Sequence, residues 1–283
     1  MIDVSFEVFP PATTDGLVGL RRATKELAAA RPSYISVTYG AGGSHRDRSF
    51  ETIDTVRDAG QRVAAHLTCV GQSRADVESV LDRYERLGID RVVALRGDPP
   101  EGVDAPYAPH PDGFTTTAEL VATSRARGMQ VSVSAYPERH PQSPSFDHDL
   151  DVLAAKVDAG ADEAITQMFF DNTALLRLRD RIEARAIDVM LTPGIFPIHS
   201  LAAVARFASR CGATIPTAVA GRFEAVADDA DATHRLAARF AAEQIDGLRS
   251  HGIDQFHLYT LNRSALALDV CNRVGALPTT ATP

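Results

Sequence analysis

The chain has 283 residues, 45% of them hydrophobic and 23% charged, with a net charge of −8. That size fits one large domain or two small ones, and the acidic balance argues against nucleic acid, which selects for a basic stripe. No apolar run approaches the length of a membrane span, the start has no signal-peptide pattern, and Cys69, Cys211 and Cys271 lack paired spacing, so a cytoplasmic protein is expected.

Strand-like runs alternate with amphipathic runs from end to end. The first run, 3–9, holds Val4, Phe6 and Val8 on one face and Ser5 and Glu7 on the other, and Pro10-Pro11 ends it. Glu7 is therefore a carboxylate near the carboxyl end of a buried strand. Such a group is paired, protonated or functional, and the strand alone leaves a structural pair and a catalytic acid both open.

The further strands are expected at 34–38, 62–68, 91–95, 130–135, 163–167, 187–191 and 255–259. Most are continuous apolar runs, such as Val92-Val93-Ala94-Leu95, as in parallel strands covered on both faces. The helices between them carry stop and start signals. Ser73 and Asp76 form a capping-box pattern, Val77, Val80, Leu81, Tyr84 and Leu87 make the buried stripe, and Gly88 closes it. Eight strands with helices between them predict a single-domain α/β fold, a (β/α)8 TIM barrel over 1–283, with a doubly wound open sheet as the runner-up, which would normally carry a glycine-rich fingerprint where Pro10-Pro11 stands. The segment at about 214–230 reads as an irregular insertion before a long helix at about 231–250.

Sites in such barrels lie at the carboxyl ends of the strands. Those ends supply Glu7, Thr38 to Gly43, His66 to Thr68, Arg96-Gly97-Asp98, Tyr136 to His140, Thr166-Gln167 and Tyr259 to Arg263. Each has a structural reading as turn, ion pair or core; their convergence on one end favours a site. No HxH, HExxH, GxSxG, GxGxxG or Gly-Lys-Ser/Thr pattern occurs, so a metal centre, a serine nucleophile and a P-loop are disfavoured. Carboxylates, amides, hydroxyls and an organic cofactor remain.

Taken together these segments resemble the methylenetetrahydrofolate reductase family. The resemblance rests on Ser5-Phe6-Glu7-Val8-Phe9-Pro10-Pro11, Val37-Thr38-Tyr39-Gly40-Ala41, Ala65-His66-Leu67-Thr68-Cys69 and Ala94-Leu95-Arg96-Gly97-Asp98. It continues through Ala135-Tyr136-Pro137-Glu138, Lys156 to Asp162, Ile165-Thr166-Gln167, Pro193-Gly194-Ile195 and Phe256 to Arg263, in order along nearly the whole chain. It implies reduction of 5,10-methylenetetrahydrofolate to 5-methyltetrahydrofolate with NADH or NADPH, through bound FAD in most of the family. By the same resemblance Glu7 is the general acid that opens the methylene bridge, and Asp98 lies beside the pterin. Gln167, Phe207 and Arg263 hold the folate. Thr38, Tyr39, Ala41, His66, Arg96, Gly97, Tyr136, His140, Asp149 and Lys156 fall where the family contacts flavin. The implied partner is a small-molecule folate, with no nucleic acid and no membrane; a homo-oligomer is compatible.

The departures from the family pattern gather on the flavin side. Thr115-Thr116-Thr117 stands where the family usually has Tyr-Ala, and His140-Pro141-Gln142-Ser143 replaces His-Pro-Glu-Ala. Val152, on one helical face with Asp149 and Lys156, replaces a polar contact, and Ala155 removes another. Two expectations follow: an FAD enzyme with a looser grip, or, preferred, direct hydride transfer from NADH with no flavin. A non-catalytic folate-binding paralogue is the alternative from a different class.

Overall fold

The computed structural model describes residues 2–40, 43–99 and 107–277, residues 43–45 by their backbone alone. The strands are β1 Asp3–Val8, β2 Ile35–Val37, β3 Val63–Thr68, β4 Arg91–Leu95, β5 Gln130–Ala135, β6 Glu163–Thr166, β7 Met190–Thr192, β8 Gly194–Ile195 and β9 Gln255–Tyr259. The helices are α1 Thr14–Leu27, α2 Gly43–Asp58, α3 Arg74–Arg86, α4 Thr117–Ala126, α5 Phe146–Asp158, α6 Asn172–Ala184, α7 Leu201–Arg210, α8 Thr217–Glu224, α9 Ala230–Arg249 and α10 Ser264–Arg273. Every strand pair is parallel, in the order β7-β6-β5-β4-β3-β2-β1-β9-β8.

The two ends of that order are consecutive in sequence, which closes the sheet into a barrel. β7 and β8 are halves of one stave, broken at Pro193, which has no N–H for a ladder. The first half pairs with β6 and the second with β9, and the Pro193 carbonyl still accepts the His257 N–H at 2.9 Å. The fold is thus the expected (β/α)8 barrel, with eight staves in nine strand segments.

The seventh stave begins later than the sequence predicts, at Met190 instead of residue 187. The C-terminal turn of α6 extends through Ile187, whose N–H bonds the Ile182 carbonyl at 3.1 Å, with Ala186 left-handed at φ 51°. Ile187 and Val189 are apolar because they pack on the core from this turn. Nor is the segment 214–230 wholly irregular. It contains α8, whose buried Phe223 meets Phe240 of α9 edge-on at 6.1 Å, with Arg222 paired to Glu243 at 2.9 Å.

The main apolar core lies between the staves and the helices, and α3 shows how a helix is set on it. Ser73 and Asp76 form the capping box, and Val77, Val80, Leu81 and Tyr84 are its buried face. The barrel interior is different. Its apolar cluster is small, Tyr34, Ala64, Val93 and Ile165 with Leu95 against them. Beneath it, at the amino-terminal ends of the strands, buried Glu163 accepts hydrogen bonds from Tyr34 (3.0 Å), Arg91 (2.9 Å), Ser132 (2.6 Å) and Thr192 (2.7 Å). Those four donors satisfy a charge that would otherwise be costly to bury. Polar groups return at the carboxyl ends, where the candidate site lies.

Candidate active site

Strand alternation puts Val4, Phe6 and Val8 against the helices and turns Ser5 and Glu7 into the barrel. Glu7 sits opposite Ser36 of β2 and Tyr259 of β9. Its Oε2 lies 3.5 Å from His66 Nε2 and 3.9 Å from His257 Nε2, so two imidazoles flank one carboxyl. Its side chain keeps 23% exposure, while those of His66 and His257 keep 8% and 1%: the carboxyl is the member of the group that a ligand can reach. Burial pushes His66 down to about 4, against the opposing pull of Glu7, so the ring is uncharged near neutral pH. Its buried Nε2 has no hydrogen-bond partner.

The end of β1 is fastened to the loop after β9. The Glu7 carbonyl accepts the Thr260 hydroxyl at 2.6 Å and the Thr260 N–H at 3.3 Å. Asn262 donates to the Phe9 carbonyl at 2.9 Å and accepts its N–H at 3.0 Å. This clamp needs a sharp turn, supplied by Leu261 and Asn262, both left-handed at φ 50° and 58°.

Tyr259 spans the mouth. Its hydroxyl donates to the Thr166 carbonyl at 2.8 Å, and the Thr166 hydroxyl accepts the Gly194 N–H at 2.9 Å. A Cβ at Gly194 would stand 2.1 Å from the Thr166 carbonyl oxygen, so only glycine lets β8 approach this closely. Phe196 stacks between Tyr259 and Phe207, each at 5.8 Å, and Phe207 is 45% exposed at the outer end of this aromatic row. Gln167, beside Thr166, is half-buried, and its side-chain oxygen accepts the Met168 N–H at 2.9 Å. Arg263 is exposed at the start of α10; burial, and after it the Arg263 charge, lowers the proton affinity of His199.

A second group gathers over β4 and β5. Tyr136 and His140 meet edge-on at 4.8 Å. Burial lowers His140's proton affinity, Arg96 and Lys156 act in the same direction, and Asp149 and Asp98 oppose them, so all four charged groups surround this ring. Gly97 is left-handed at φ 83°, and a Cβ there would lie 2.4 Å from Val70. A third group joins Tyr39 and Arg46, both donating to the Gln72 side-chain oxygen, at 2.9 and 3.0 Å. Thr38, half-buried beside Tyr39, donates its N–H to the Val8 carbonyl at 3.1 Å. Ala41 lies outside the described residues.

The structure therefore brings Glu7 and His66 together, and Arg96, Asp98, Tyr136, His140, Asp149 and Lys156 together. Phe207 lies on α7, whose carboxyl end reaches the loop after β5, where the Thr214 N–H bonds the Glu138 carboxylate at 3.0 Å, and Arg263 follows β9. The sequence places Tyr259, Thr260 and Asn262 at the candidate strand end Tyr259 to Arg263 without a role for each, and it does not single out His257. The alternation on β9 held the signal, since His257 and Tyr259 share the inward face in register with Ser5 and Glu7.

Several groups expected against flavin are engaged by the protein itself. The Lys156 ammonium is buried and donates to the Ser134 carbonyl at 2.6 Å, and burial pushes it down to about 8. Asp149 accepts the His140 N–H at 2.9 Å, and Val152, on the same helix, is 42% exposed. Thr116 caps α4 by accepting the Glu119 N–H at 3.3 Å, and the Thr115 hydroxyl bonds the Glu119 carboxylate. Where the resemblance implies contact with the diphosphate of a flavin dinucleotide, the structure has a withdrawn lysine and an apolar side chain. The residues present do not fit that half of the cofactor.

Fold and site define an α/β barrel with a carboxyl and two imidazoles gathered at the carboxyl ends of its strands. Residues 1–275 match the family model described as methylenetetrahydrofolate reductase. The chain is 38% identical over 282 residues to 5,10-methylenetetrahydrofolate reductase of Pectobacterium carotovorum, covering 99% of this chain and 92% of that protein. It is 37% identical to the enzyme of the same name from Escherichia coli K12, over 98% and 92% of the two chains. Methylenetetrahydrofolate reductase (NADH) 1 of Arabidopsis thaliana is 32% identical over 96% of this chain and 48% of its own length. A Clostridium thermocellum protein that binds two copies of 5-methyl-5,6,7,8-tetrahydrofolic acid shares the fold, with TM-score 0.64 and 12% identity over 96% and 95% of the chains. The chain belongs to the methylenetetrahydrofolate reductase family, and is an oxidoreductase. No helix among the described residues is long and apolar enough to cross a membrane.

Proposed function

We propose that this protein reduces 5,10-methylenetetrahydrofolate to 5-methyltetrahydrofolate, taking hydride directly from NADH, with Glu7 as the general acid. The observation that carries the reading is the ligand-accessible Glu7 carboxyl between two buried imidazoles at the mouth of the barrel. The substrate's methylene carbon bridges two nitrogens, and neither leaves readily as an anion. Glu7 gives its proton to the departing nitrogen as the carbon–nitrogen pair moves onto it, leaving an iminium on the other nitrogen. Hydride from NADH adds to that carbon, forming the methyl group and NAD+. Family membership supports the reaction, and the naming of the Arabidopsis relative as an NADH enzyme supports the donor.

Gln167, Phe207 and Arg263 would hold the folate. Phe207 offers an exposed ring for stacking against a planar ligand, and Arg263 an exposed cation for its carboxylates. Asp98 is exposed next to the His140 group, on the side where the pterin and nicotinamide would meet. Thr38, Tyr39, His66, Arg96, Gly97, Tyr136, His140, Asp149 and Lys156 would line the nicotinamide side. The internal engagement of Lys156, Thr115 and Thr116 and the apolar Val152 support the flavin-free route.

The test is methylenetetrahydrofolate-dependent oxidation of NADH by the freshly purified protein, with its visible spectrum recorded beforehand. Turnover without a flavin band is expected, and Glu7→Gln should lower it about 10²–10⁴-fold with folate binding kept. A stoichiometric flavin band overturns the direct route. Near-normal turnover in Glu7→Gln overturns the acid. Folate binding without turnover, with or without added FAD, would make the protein a binder.

A further inference from the structure

The broken seventh stave leaves a swap of hydrogen-bond partners beside Gln167. The β6–β7 ladder ends at the pair Ile165 and Thr192, and Pro193 follows. Continued one step, the slanted bonds of a parallel ladder would set the Gly194 N–H on the Thr166 carbonyl. The Gly194 N–H goes instead to the Thr166 hydroxyl, at 2.9 Å. The carbonyl of this buried residue takes the Tyr259 hydroxyl at 2.8 Å. Gly194 lies tight against the bond, since a Cβ there would stand 2.6 Å from the Tyr259 ring and 2.1 Å from the carbonyl oxygen. Tyr259 thus reaches from β9 past β8 to the end of β6.

The same carbonyl opens the peptide unit that leads into Gln167. The N–H of that unit donates to the Ala135 carbonyl of β5 at 2.8 Å, so the unit is held at both ends. The next N–H, of Met168, is taken by the Gln167 side-chain oxygen at 2.9 Å. An N–H needs an acceptor, so this bond fixes how the amide is turned. Its oxygen lies back on the chain, and its nitrogen, with two protons, is left for a ligand. Glu163 and Ile165 face the barrel interior, and alternation puts Gln167 on the same side. From this we infer that Tyr259 is a positioning residue. Its hydroxyl stands in for the missing ladder bond and so sets Gln167 Nε2 against a hydrogen-bond acceptor of the ligand, a carbonyl oxygen or an unprotonated ring nitrogen.

Tyr259 is also the neighbour of Glu7 in the sheet register, so the residue that holds the amide borders the acid as well. The place of Gln167 is thereby set relative to Glu7. The Tyr259 ring is held apart from its hydroxyl, by Phe196 at 5.8 Å and by His257, edge-on, at 5.4 Å. Loss of the hydroxyl alone therefore leaves the ring in place. A phenol has a single proton, and this one is spent on Thr166, so the hydroxyl acts on a ligand through Gln167. The ligand contact of Gln167 rests on the proposed reaction; the pinning of its backbone does not.

The test uses Tyr259→Phe in the full-length chain, with Gln167→Met and the double variant. In Tyr259→Phe the freed Thr166 carbonyl can turn to the Gly194 N–H and pull the peptide unit off Ala135. Without ligand, the Gln167 N–H should then exchange with deuterium about 10-fold faster or more. The Kd of 5-methyltetrahydrofolate, measured by calorimetry, should rise about 3- to 10-fold. Added to Gln167→Met, the same substitution should raise it no further, because the amide through which Tyr259 acts is already gone. Unchanged exchange at Gln167 overturns the pinning. An equal loss of folate affinity with and without the Gln167 amide overturns the positioning role, as does no loss in Tyr259→Phe. If Gln167→Met binds 5-methyltetrahydrofolate and NADH as the unsubstituted chain does, Gln167 is no ligand contact and the positioning role falls with it, while exchange at its N–H still decides the pinning.

Discussion

The Thr260 hydroxyl donates to the backbone carbonyl of Glu7 at 2.6 Å, tying the end of β9 to the end of β1. This contact closes the barrel beside the residue proposed to do its acid chemistry. Asn262 extends the same seam one turn outward by gripping both backbone groups of Phe9. Strand pairing sets the position of Glu7 from below, and these two side chains set it from above.

Asn262→Gly separates the clamp from the turn, since glycine accepts the left-handed backbone that Asn262 adopts at φ 58°. Two side-chain hydrogen bonds are lost, at about 0.5–1.5 kcal/mol each, so denaturant unfolding should show a loss of about 1–3 kcal/mol. A small displacement of Glu7 matters more to chemistry than to stability. Turnover should fall by about 10- to 100-fold, with the folate KM changing much less. Stability loss with wild-type turnover would show that the clamp does not position Glu7.

His66 makes stability depend on pH. Unfolded, its imidazole takes a proton near 6.5; in the folded protein burial pushes that to about 4. Between these values the unfolded chain binds more protons than the native one. Its contribution is therefore fully present above pH 6.5 and is lost as pH falls towards 4, a total of about 3 kcal/mol. Unfolding free energies measured from pH 7.5 to 4 should fall less steeply in His66→Gln than in the unsubstituted protein. Equal slopes would mean that the folded ring takes a proton as readily as the unfolded one.

Glu7 was legible in the sequence because a charge at an inward position of an apolar strand stands out. Ser73 and Asp76 were legible because a capping box is local. The role of His257 was hidden, because a lone histidine between Phe256 and Leu258 reads as core, and its partner Ser5 lies 252 positions away. The seventh stave was misplaced because Ile187 and Val189 are apolar for the sake of a helix turn, and Pro193 interrupts the strand that follows. Helix α8 escaped notice because it is eight residues long, contains Gly221 and has no side-chain cap. Lys156 belonged to an expected ligand contact. That its ammonium is buried on the Ser134 carbonyl depends on packing between α5 and β5, which no sequence spacing encodes.

Gly97→Ala tests the loop after β4. The backbone there is left-handed at φ 83°, and the added methyl would lie 2.4 Å from Val70 and 2.9 Å from Thr68. The conformation costs about 1–2 kcal/mol for a residue with a Cβ, and relieving the overlap about 1–3 kcal/mol more. Urea unfolding should show a loss of about 2–5 kcal/mol. Arg96 and Asp98 flank the position, so nicotinamide affinity should weaken with stability. An undiminished midpoint would mean that the loop relaxes at little cost and that its shape is not what glycine provides.

Phe207→Ala separates binding from chemistry. The ring is 45% exposed and touches the barrel through Phe196, so its removal opens no closed cavity, and stability should change by less than about 1 kcal/mol. What disappears is a flat apolar surface for the ligand, worth about 0.5–1.5 kcal/mol when an aromatic partner stacks on it. The folate KM should rise about 2- to 12-fold while kcat stays within a factor of two or so, because the lost contact is present in ground state and transition state alike. The NADH KM, measured at saturating folate, distinguishes the two ligands. If it rises in place of the folate KM, Phe207 belongs to the nicotinamide, and the folate must find its stacking surface elsewhere along the row formed with Phe196 and Tyr259.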